Sequence, residues 1–122
     1  MKRIPVSSIK TKAQHVAAHR KLWREVIGIL EEKHTVYISV AKERALDRVF
    51  IGNLRCDCFG CRWDAISGEC LFICGCKTKN QFYPPCCYGL YEELEALDCI
   101  TDNARALVLA RKILNMKIRG SK

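Results

Sequence analysis

The chain lacks any run near the roughly 20 consecutive apolar residues that a membrane-spanning helix needs, so no bilayer span is expected. Its start, MKRIPVSSIKTKAQH, is basic like a secretory leader, but no apolar stretch follows, so export is not expected either. Internal repeats and low-complexity tracts are missing, which argues against a solenoid or a disordered linker. The sequence has no glycine-rich phosphate loop, no nucleophile elbow and no carboxylate pair placed to split two pKa values. Catalysis is therefore not expected.

Acidic residues are missing from both ends. Residues 1–24 carry Lys2, Arg3, Lys10, Lys12, Arg20, Lys21 and Arg24 without one acid, and residues 104–122 are equally free of acids. The formal charge of +8 is thus concentrated at the two ends, while Glu92, Glu93, Glu95, Asp98 and Asp102 form an acidic block between them. Basic ends suit a polyanion, nucleic acid first, although a charged surface by itself also serves solubility.

What the chain has in excess is cysteine. Eight of its 9 cysteines lie in CDCFGCRWDAISGECLFICGCKTKNQFYPPCC, from Cys56 to Cys87. In a reducing interior, cytoplasmic or nuclear, disulfides are disfavoured and grouped thiolates hold zinc, without redox change. An odd cysteine count also suits a fully bridged secreted domain poorly. The expected metal ligands are Cys56, Cys58, Cys61, Cys70, Cys74, Cys76, Cys86 and Cys87. They would form two four-cysteine zinc sites, the first four residues on one ion and the last four on the other. Adjacent Cys86 and Cys87 face one ion with difficulty, so an interleaved or sulfur-bridged partition stays open, and nine thiolates would match a three-zinc cluster. Iron–sulfur binding is the next competitor. The halves C-x-C-x2-C and C-x3-C-x-C partly resemble the zinc cluster that precedes SET methyltransferase domains. Order and remaining spacings depart from that pattern, and no family is assigned. Cys99, flanked by Leu97 and Ile100, reads as a small buried hydrophobe.

The rest of the chain reads as one α+β domain, residues 1–122: a small zinc-stabilised fold with a long N-terminal helix, a short sheet, an irregular cysteine-rich centre and C-terminal helices. A basic lead-in (1–10) precedes a helix over 11–33, opened by the capping box Thr11-Lys12-Ala13-Gln14. Its apolar stripe holds Val16, Trp23 and Leu30, with Ala13, Ala17, Val26 and Ile27 on the same broad side. Residues 35–55 contain a strand, since Thr35 to Val40 alternates strictly. Ala41, Ala45, Leu46 and Val49 then suit a short helix, or Arg48 to Ile51 a returning strand. The cysteine-rich centre (56–87) is turn-rich, with Leu71 to Ile73 as a short strand. In the helical part (89–119), Leu90, Leu94 and Leu97 give one helix. Thr101 or Asp102 caps another, with Ala106, Leu109, Ala110, Ile113 and Leu114 as its buried stripe.

His15 and His19, four apart on one helix face, could clamp a metal, but Val16 replaces the glutamate of a catalytic zinc helix. A structural role is the stronger expectation. Near the cysteines, Phe59, Trp63, Phe82 and Tyr83 interleave with Arg62, Lys77 and Lys79. These rings would stack unpaired bases or, more simply, shield the metal centre.

These observations lead to a non-catalytic zinc-binding protein that contacts nucleic acid, or a complex handling it, through basic helices. The phosphate-contacting candidates are Lys10, Lys12, Arg20, Lys21, Arg24, Lys77, Lys79, Arg111 and Lys112. The alternative is a small protein-binding inhibitor or adaptor, of the viral or mobile-element kind, with purely structural zinc and the acidic block as its contact surface.

Overall fold

The computed structural model describes residues 3–32, 37–52, 59–68, 71, 94, 96, 103–116 and 118. It is mostly helical with a short two-stranded parallel sheet, compatible with the α+β class. The elements are β1 (Ile4–Pro5), a 3-10 turn (Val6–Ser8), α1 (Lys12–Glu32), α2 (Ile38–Val49), β2 (Phe50–Ile51), α3 (Phe59–Ser67) and α4 (Asn103–Leu114).

Helix α1 starts where its capping box says it should. The backbone N–H of Gln14 donates to Thr11 Oγ1 at 3.1 Å, and Gln14 Oε1 accepts from the N–H groups of Thr11 and Lys10 at 2.9 and 2.7 Å. Three N–H groups at the helix entrance are thereby satisfied, each of which would otherwise need water. The buried face of α1 runs His15, Ala18, His19, Leu22, Trp23, Val26, Ile27, Ile29 and Leu30. Each of α2, α3 and α4 packs on α1, which makes it the spine of the core. Small residues on the incoming helices, Ala41 and Ala45 of α2 and Ala106 and Ala110 of α4, are fully buried and let the axes approach closely.

The strand expected over Thr35–Val40 is corrected: Ile38, Ser39 and Val40 form the first turn of α2, and Tyr37 is the extended residue before it. Three alternating residues fit either period. The longer spacing Ile38, Ala41, Ala45, Val49, all buried, places one full stripe on α1 and decides for helix. Thr35 and Val36 lie outside the described residues. Instead, the sheet pairs Ile4 with Phe50 and Pro5 with Ile51. Arg3 fastens this pairing, donating to the Phe50 carbonyl from Nε (3.1 Å) and Nη2 (2.9 Å) and meeting Asp47 at 3.3 Å. Gly52 leaves β2 at φ +100°, a backbone state glycine takes without strain.

Residues 4–9 belong to the core rather than trailing from it, since Val6 and Ile9 are buried. The centre expected to be irregular contains a nine-residue helix, α3. The helix expected over Ala106–Leu114 is α4. Leu94 and Ala96 are helical, as expected; Leu71, expected to open a strand, is a buried bend, and the other residues of that expected strand and of the helix expected about Leu94, with the Thr101/Asp102 cap, lie outside the described residues.

Candidate nucleic-acid interface and cysteine centre

The burial of α1 on three sides leaves one outer strip. Along it run Ala13, Gln14, Ala17, Arg20, Lys21 and Arg24, all exposed. Arg20, Lys21 and Arg24 occupy about one turn, spanning roughly 6 Å of axis. Their nearest acids on α1 are turned aside by packing. Glu25 pairs with Arg48 of α2 at 3.0 Å, and Glu31 with Arg111 of α4 at 3.1 Å. Such exposed pairs add little stability, but they occupy the carboxylates that would otherwise offset the strip. Arg20, Lys21 and Arg24 have no ion pair among the described residues.

The other phosphate candidates are distributed unevenly. Lys10 is exposed just before α1, and Lys12 is half-buried in its first turn. Lys112 is exposed on α4 beside Arg111, whose charge is already shared with Glu31. Lys77 and Lys79 lie outside the described residues.

Below this strip sits a polar junction that the sequence reading missed. Arg62 of α3 reaches across to the N-terminal segment. One guanidinium nitrogen, Nη1, donates to the carbonyl of Ile9 and lies 2.7 Å from His15 Nε2, while Nη2 donates to the Val6 carbonyl at 3.1 Å. A guanidinium only donates, so His15 Nε2 must accept, and its proton sits on Nδ1, which donates to the Thr11 carbonyl at 2.7 Å. Burial holds the His15 imidazole below its ordinary pKa. The Arg62 charge pushes the same way, and the bond to Thr11 opposes both. Rings close the junction: His15 lies 5.2 Å from Trp63 and 6.5 Å from Phe59, and Phe59 lies 5.2 Å from Phe50, centre to centre.

The sequence places Arg62 and Trp63 among rings and cations suited to bases or to shielding a metal. Here they face inward with Phe59. The signal was present in the spacing Phe59, Arg62, Trp63, which is one helical face, but glycine and cysteine in the same run suggested turns instead. His15 and His19 do not converge. His19 turns to the far side and donates from Nε2 to the Ile113 carbonyl of α4 at 2.8 Å.

Of the expected metal ligands, Cys61 lies on the backbone of α3, and Cys56, Cys58, Cys70, Cys74, Cys76, Cys86 and Cys87 lie outside the described residues, as does Cys99. Among the described residues no group of three or more His, Cys, Asp or Glu side chains is placed to hold a metal ion. Helix α3 begins at Phe59, so the C-x2-C pair Cys58 and Cys61 straddles its start in sequence. No described helix is long and apolar enough to cross a membrane. Comparison with known proteins finds no matching family model, no matching curated protein and no matching solved structure.

Proposed function

We propose that this chain is a non-catalytic, zinc-stabilised, intracellular protein that binds nucleic acid, or a complex handling it, through the outer strip of α1. One observation carries the reading: Arg20, Lys21 and Arg24 are exposed within one turn, while the acid beside them, Glu25, is engaged by Arg48 of α2. A surface arranged only for solubility has no reason to keep its cations together and its acids occupied elsewhere. The zinc component rests on the donor set, eight thiols between Cys56 and Cys87, and on a C-x2-C pair at a helix start, where two thiolates reach one ion from a single turn.

Salt dependence tests the binding. Three neutralised phosphates predict a slope of log K against log salt of about −2 for a single strand and about −3 for a duplex. An affinity indifferent to salt removes the reading. Charge reversal at Lys21 and Arg24 is expected to abolish binding, whereas a protein partner held by the acidic block would survive it. Elemental analysis of purified protein tests the metal, with two or three zinc ions per chain expected and an ion-free protein that melts cooperatively, indifferent to chelator, as the refuting result.

A further inference from the structure

Beside the basic strip lies a cleft of about 160 Å³ between α1 and the N-terminal segment. Ile4, Ile9, Ala17 and Ala18 give it an aliphatic lining, joined by Gln14, Lys21 and Ser8, whose hydroxyl donates to the Pro5 carbonyl at 2.7 Å. A volume of about 150 Å³ accepts one benzene-sized ring, so this cleft has room for a single small ring. Gln14 gives the cleft a direction. Its carboxamide oxygen is taken by the N–H groups of Lys10 and Thr11, which fixes which end of the amide is which and leaves the NH2 as the group for a ligand. The cleft thus offers an oriented hydrogen-bond donor and, seven residues further along the same helix, the Lys21 cation.

We infer that the cleft receives one unpaired nucleobase, whose carbonyl or ring-nitrogen acceptor meets the Gln14 NH2 while the adjoining phosphates lie on Lys21 and Arg24. The inference rests on the nucleic-acid reading above and narrows it to single-stranded or bulged strands, because a paired base shows the cleft neither its flat body nor a spare edge. An acidic peptide with an aliphatic anchor would fill the cleft and meet the cations, yet its anchor would leave the Gln14 donor unused. A base attached to its phosphate satisfies all three features together.

Two variants test this without disturbing the helix. Ala17→Leu puts a strong helix former at an exposed position and fills the cleft. Gln14→Glu keeps the capping box, which works with either residue, but exchanges the amide donor for a carboxylate. The probes are a labelled oligouridylate, whose bases carry carbonyl acceptors, and a blunt duplex of equal length. Each variant is expected to lower the ratio of oligouridylate to duplex affinity about tenfold, the scale of losing a buried ring or its bond. Melting curves that match the parent show that folding is intact, and Ala17→Ser, which leaves the cleft open, is expected to keep the parental ratio. Binding that persists with an unchanged ratio in both variants overturns the cleft and leaves the strip standing. If neither nucleic acid binds the parent while an acidic, leucine-bearing peptide does, and Ala17→Leu weakens that peptide, both readings fall.

Discussion

Helix α1 meets α3 and α4 through histidines four residues apart, and the two junctions are built on different terms. Toward α4 the contact is an apolar seam of Ala106, Leu109, Ala110 and Ile113, crossed by hydrogen bonds from His19 to the Ile113 carbonyl and from Asn103 to the Leu30 carbonyl, with the exposed Glu31–Arg111 pair at its edge. Toward α3 the contact is a polar knot, in which Arg62 serves two backbone carbonyls and a neutral His15 between rings. In the first, burial of apolar surface supplies the energy and the hydrogen bond only avoids a penalty. In the second, one side chain holds three acceptors; without it the Val6 carbonyl keeps the Ile9 N–H at 3.1 Å, while the Ile9 carbonyl and His15 Nε2 lose their guanidinium donor. A permanent cation beside a histidine also makes the second junction sensitive to acid.

The comparison breaks most visibly at Arg62. Arg62→Met is expected to cost about 3 kcal/mol in urea unfolding, since several partly buried acceptors lose their donor at once. Arg62→Lys should recover little of it, because a point charge cannot span acceptors laid out for a planar fork. A fully stable lysine variant would mean that charge alone holds α3. His19→Leu should cost less, about 1 kcal/mol, as the Ile113 carbonyl loses the imidazole donor but keeps the Met116 N–H, in a seam that otherwise survives.

Acid sharpens the contrast next. The folded pKa of His15 is lowered, so above the unfolded histidine value of about 6.5 the ring is neutral in both states and adds no pH dependence. As pH falls below that value the unfolded chain takes up the proton first, and stability declines until the folded pKa is passed. Melting temperatures compared across this window in the parent and in His15→Gln are expected to show the decline attributable to position 15 in the parent only. An equal slope in both would place the sensitivity elsewhere. The smallest effect belongs to the outer strip, where alanine at Arg20, Lys21 or Arg24 should change stability by no more than about 0.5 kcal/mol while weakening nucleic-acid binding.

The same contrast explains what could be read in advance. The seam with α4 announces itself through period, and α1 through the cap of Thr11 and Gln14, because apolar spacing and capping are local properties of the chain. The junction with α3 does not, since its acceptors are main-chain carbonyls of Val6 and Ile9, which any residue would supply. At Ile38 to Val40 a short alternation was outvoted by a longer stripe that only the presence of α1 makes decisive. The two-residue strand at Ile4 and Pro5 is shorter than any periodicity that a sequence can display. The basic strip was visible as charge, but the cleft beside it draws on Ile4, Ile9 and Ala17, residues that come together only through β1 and its partner.

That partner is made late. On a ribosome adding roughly 5–20 residues per second, Ile4 is synthesised some seconds before Phe50, so the segment carrying β1 must wait for its partner strand. Arrested chains in which Phe50 has not yet left the ribosome are expected to lose residues 4–9 readily to protease, and chains long enough to release it to resist. Ligand capture at this edge would then be a property of the finished polypeptide, withheld during synthesis by the order in which the pieces arrive.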